Sequence, residues 1–116
     1  MSTAETLFKA KIVYLILSSD TTQALELLSE HYHVVTPKLK VGMPKGHSKN
    51  PGCYVSTSKR IHVAHREMLS NVHVILHEFY HHLRRVKNEQ GGIEKYADGF
   101  AKDYLDAYKK AASNST

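Results

Sequence analysis

The sequence predicts a small α+β domain: two N-terminal helices, a short sheet of about three strands, and two further helices at the C-terminal end. Three observations lead there. Apolar residues recur at helical spacing towards both ends of the chain, and they alternate with polar ones in the middle. Glycine, proline and asparagine punctuate that middle stretch. A length of 116 residues, 41% of them hydrophobic, fits one domain over residues 1–116 with a core of its own.

From Ala4 to Ser18, Leu7, Ala10, Lys11, Tyr14, Leu15 and Leu17 trace a helix-like face. Ser19-Asp20-Thr21 reads as an N-cap for a second helix, in which Ala24, Leu25, Leu27, Leu28 and Tyr32 keep helical spacing. Val34-Val35 with Leu39-Lys40-Val41 reads as a strand, with Pro37 at an edge or entry position. Residues Gly42 to Gly52, rich in glycine, proline and lysine and carrying His47, predict a mobile loop. Cys53–Ser58 and Arg60–His65 alternate around Lys59 and predict two short strands, paired as a hairpin. Ser70 or Asn71 caps a long helix to about Lys87, and Gly91-Gly92 breaks the chain before a last helix from about Ile93 to Ala111.

Composition removes several function classes. The longest apolar run, Ile12 to Leu17, is far short of the roughly 20 residues that a membrane helix needs. The N-terminal Met1-Ser-Thr-Ala-Glu-Thr has neither the basic patch nor the cleavage site of a secretory signal, so a cytoplasmic protein is expected. A single cysteine, Cys53, allows no internal disulfide and no cysteine zinc knuckle, and reads as a small buried apolar residue. The net charge of +5 suits a polyanionic partner, but no basic stretch is dense or interleaved with aromatics. Nucleic-acid binding is therefore open and not favoured. Nine histidines are the compositional anomaly, and they make imidazole the natural source of special chemistry.

Two of them fall in His77-Glu78-Phe79-Tyr80-His81, the pattern HExxH. Residues four apart on a helix stand one above the other, so both imidazoles point the same way and can take two corners of a tetrahedral zinc site. Glu78 leans to the side where an attacking water would sit and can accept its proton. A histidine-rich chain produces this pattern more easily by chance, but the helix around it is coherent. Val72, Ile75, Leu76, Phe79, Leu83 and Val86 form an apolar stripe, and the two histidines border it. A third ligand must come from elsewhere, and no histidine follows His82. The last helix offers Glu94 and Asp98 one turn apart, opposite a packing side of Ile93, Ala97, Phe100, Tyr104 and Tyr108. Glu94 as a ligand, with Asp98 accepting the other N–H of a ligand histidine, is the natural division of labour.

HExxH followed by Glu94-Lys-Tyr-Ala-Asp98-Gly-Phe-Ala101 resembles the gluzincin metallopeptidases, whose third ligand is a glutamate. Within them the chain is similar to the ImmA/IrrE-type peptidases and to small HExxH…ExxAD peptidases, over about half its length. The resemblance implies a zincin-like domain with an active-site helix, a glutamate-bearing helix, and a sheet whose edge strand binds extended substrate. It implies zinc on His77, His81 and Glu94, Glu78 as general base, Asp98 behind the ligands, and a protein or peptide substrate. The chain departs from the ImmA/IrrE type at Tyr80, where those proteins often carry glycine, and those proteins often continue past the matching Phe100-Ala101 into a longer region than is expected here. SprT-like proteases share the fold outline and a basic surface, but their third ligand is a histidine.

Two other classes remain open: a non-catalytic zinc-containing regulatory or binding module, and a protease acting on nucleic-acid-associated proteins. For a donor to the developing oxyanion the candidates are His65, His73, Tyr54, Tyr80 and Tyr96. His73, one turn before His77 on nearly the same face, is nearest. His82 points about a hundred degrees from His81 and is expected at the surface or behind the ligands. His31, His33, His47 and His62 read as structural or solvent-facing.

Overall fold

The computed structural model describes residues 3–87 and 94–114, and these form an α+β fold of four helices and one mixed three-stranded sheet. In order they are α1 (Thr3–Leu17), α2 (Thr21–Tyr32), β1 (Lys38–Val41), β2 (Gly52–Val55), β3 (Arg60–Val63), a 3-10 turn (Arg66–Ser70), α3 (Val72–Val86) and α4 (Glu94–Asn114). The expected Gly91–Gly92 break and the packing role of Ile93 lie outside the described residues.

Both N-terminal helices stop without glycine. Ser19 and His33 take the left-handed conformation, at φ of 64° and 59°. Asp20 N–H then reaches back to Leu15 O at 2.8 Å, and Val34 N–H to Ser29 O at 2.9 Å, which satisfies carbonyls that a helix end leaves unpaired. Asp20 sits at the N-cap of α2, although its side chain makes no capping bond. At α3 the cap is Asn71, whose side chain accepts from Val74 N–H at 3.1 Å.

The predicted face of α1 is corrected. Leu7, Tyr14 and Leu17 are 58%, 59% and 49% exposed, whereas Ile12, Val13 and Ile16 are fully buried. This helix is apolar nearly all round, so periodicity alone could not choose the inward side. Its partner did. α1 packs chiefly against α4, which also packs against α3.

In the sheet the order is β1-β3-β2, with β1 parallel and β2 antiparallel to β3. The expected hairpin is therefore present, over shorter strands than predicted. Val34-Val35 is not strand: pairing begins at Lys38↔Arg60 because β3 itself begins there, and Val35 O is taken by a side chain instead. Gly52, expected in the loop, opens β2. A β-carbon there would lie 2.7 Å from Val74 Cγ1 and 3.1 Å from His62 O, so only glycine lets β2 press this closely on α3. Among the described residues no helix is long and apolar enough to cross a membrane.

Candidate metal centre

α3 lays its apolar side on the core through Ile75, Leu76 and Phe79, which are fully buried. That orientation turns His73, His77, His81 and Arg85, each one turn after the last, towards a cleft of about 590 Å³. The opposite walls come from β2, from His47 and Asn50 of the preceding loop, and from Glu94 and Asp98 of α4. His47, read as structural or solvent-facing, is exposed and borders this cleft.

His77 and His81 meet here as their spacing required. His77 Nε2 lies 2.8 Å from Glu94 Oε2, and His81 Nε2 lies 2.9 Å from Glu94 Oε1. One carboxylate thus spans both rings. On its far side His77 Nδ1 donates to Asp98 Oδ1 at 2.8 Å, and the same oxygen accepts from His73 Nε2 at 3.0 Å. These two imidazoles hold the Asp98 carboxyl below the usual carboxylate range, chiefly through the His77 hydrogen bond. Glu78, buried beside them, brings Oε2 to 4.0 Å from His77 Nε2. Burial pushes its carboxyl above the ordinary range; His77 and His81 pull the other way, and Glu94 adds to the rise.

The donor chemistry of this cluster fits a cation. A neutral imidazole has one N–H, and His77 spends it on Asp98, so its Nε2 lone pair faces the Glu94 carboxylate. Two electron-rich atoms at 2.8 Å need a positive charge between or upon them. Ligand atoms of His77, Glu78 and His81 also lie within 4.8 Å of one another. His77, His81 and Glu94 together could offer a metal two imidazoles and one carboxylate, a donor set of the kind that suits zinc.

The expected donors to an oxyanion are sorted by the fold. His65 heads the 3-10 turn, Tyr80 packs on Phe100, and Tyr96 is 60% exposed; none lines the cleft. Tyr54 does line it, but its hydroxyl lies 2.7 Å from His82 Nδ1. His82 Nε2 must carry a proton, because its partner at 2.7 Å is Val35 O, which only accepts. Nδ1 is then the acceptor, and Tyr54 O–H is committed to it. His73 borders the cleft with its Nε2–H on Asp98.

His82 is the clearest correction. Expected at the surface or behind the ligands, it is 0% exposed and ties α3 to β2 and to the segment before β1. Sequence spacing could place it a hundred degrees from His81, but not say what waited there. His62 is structural as expected, buried with Nδ1 donating to Gly42 O at 2.8 Å. Cys53 is buried as expected, and it also borders the cleft. Arg85 is a lining residue that the sequence reading does not name, although its position four residues after His81 puts it on the cleft-facing stripe. A separate concavity gathers Lys38, Lys40 and Arg60 near the start of α2. No family model, curated protein or solved structure matches this chain.

Proposed function

We propose that the chain is a zinc-dependent peptidase, with His77, His81 and Glu94 holding the metal and Glu78 moving the proton. The observation that carries this reading is the Glu94 carboxylate spanning two Nε2 atoms, one of whose rings is fixed from behind by Asp98. Zinc at that position would supply Lewis acidity, polarising a carbonyl and making a water acidic near neutral pH. Asp98 fixes the His77 ring so that Nε2 faces the cleft. Glu78 takes a proton as water attacks the carbonyl carbon, then delivers it to the amine nitrogen as the C–N bond breaks. Its burial raises its proton affinity, which suits a group that must accept a proton and give it back. β2, bordering the cleft beside Glu78, offers main-chain groups to an extended peptide.

The test is a peptide-library digest with the zinc-loaded chain, read by mass spectrometry. Wild type should release defined fragments, whereas Glu78→Gln should bind one zinc per chain and lose on the order of 10²-fold or more in turnover. A wild-type protein that binds zinc and cuts nothing would leave a zinc-containing binding module in its place.

A further inference from the structure

The cleft is chemically lopsided along α3. Its carboxylates gather towards one end: Asp98 accepts from His73 and His77, and Glu94 spans His77 and His81. Arg85 borders the same cavity at the other end, one turn beyond His81 and about 6 Å farther along the helix axis. The acids of the cleft are all turned to histidine, and Arg85 meets no carboxylate among the described residues. Across from it stands Tyr54, close enough to feel its charge, whose hydroxyl is already committed to His82. A guanidinium with no acid partner among the described residues, on the wall of a substrate-sized cleft, is a fork of donors shaped for a carboxylate.

We propose that Arg85 selects ligands carrying a carboxylate, placed about two residues from the bond to be cut. The spacing follows from about 6 Å along α3, counted from His81, the nearer of the two rings that Glu94 spans, against about 3.3 Å per residue of extended peptide. Placing the bond rests on the peptidase reading; recognition of the carboxylate does not. That group is supplied by an acidic side chain or by the free C-terminus of a short peptide.

One peptide made in four forms separates these sources: glutamate or glutamine two residues from the bond, each with a free or an amidated C-terminus. With the zinc-loaded full chain, at least one carboxylate form should be processed on the order of 10- to 100-fold better than the doubly neutral form. The form that carries the preference identifies the source. Arg85→Met should bring the ratio close to one. Arg85→Glu should favour a lysine at the same position, a gain that a misfolded variant cannot produce. Equal rates for all four forms, or a ratio unchanged in Arg85→Met, would overturn the inference while leaving cleavage itself established. If wild type cuts none of them, the same forms carrying a fluorophore are titrated against the zinc-loaded chain by anisotropy. An Arg85-dependent preference there keeps the recognition and removes the peptidase reading; no preference removes the recognition as well.

Discussion

His81 and His82 are consecutive, yet they serve opposite ends. His81 turns Nε2 into the cleft, where Glu94 on α4 meets it at 2.9 Å. His82, about a hundred degrees around the helix, is wholly enclosed and held by two neutral groups, Tyr54 Oη and Val35 O, each at 2.7 Å. Burial lowers its pKa below the ordinary histidine value; the Val35 bond opposes that and the charge of Lys59 adds to it. One ring is kept for a charged partner, and its neighbour is consumed in joining a helix to a sheet. A histidine-rich sequence is thus two populations, separated by what faces each ring.

Replacing each ring should therefore fail in a different way. His81→Ala should weaken zinc binding on the order of 10²- to 10³-fold in chelator competition, since one of the three proposed ligands is gone. Its metal-free melting temperature should stay within a few degrees of wild type, because the ring is partly exposed and leaves no core cavity. His82→Ala should reverse the pattern. An enclosed ring is lost together with its two part-buried hydrogen bonds, which should remove about 2–4 kcal/mol from the metal-free chain in urea unfolding. Zinc affinity should fall less than in His81→Ala. Equal losses in both assays for both variants would erase the distinction.

The smallest effect is the most selective. The folded chain holds His82 neutral, while the unfolded chain binds a proton as pH falls through about 6.5. Folded-state pKa lies below unfolded, so stability from this group is present above about pH 6.5 and declines on acidification, by at most about 1.4 kcal/mol per pH unit. The comparison is with His82→Gln, without metal. That variant should show the shallower loss between pH 7 and pH 5. An unchanged slope would mean that His82 is not held neutral.

Much of the candidate site was legible because it is local. His77, Glu78 and His81 fall on one border of a helix whose apolar stripe fixes its orientation, and Glu94 and Asp98 share a face one turn apart. Such relations depend on 3.6 residues per turn and little else. What escaped was relational. The partners of His82 come from β2 and from the segment after α2, and no periodicity in α3 points to either. The inward face of α1 differs from the prediction because Leu7, Tyr14 and Leu17 offer helical spacing too, while Ile12, Val13 and Ile16 are the residues that α1 buries. The parallel pairing of β1 with β3 is likewise a tertiary outcome, and it fixed where β1 could start.

The docking of α4 has a kinetic consequence. The acids of the cleft follow its histidines closely in sequence, which by itself would allow rapid local assembly. Yet the helix that carries them is seated by α1, from the opposite end of the chain, as much as by α3, with Lys9 lying over the ring of Tyr104. Closing so long a loop is a slow, entropically costly step that comes before its contacts can repay it. The placing of the cleft's acids therefore depends on a seam between the first helix and the last. Weakening that seam would open the site from a distance, leaving every residue in it untouched.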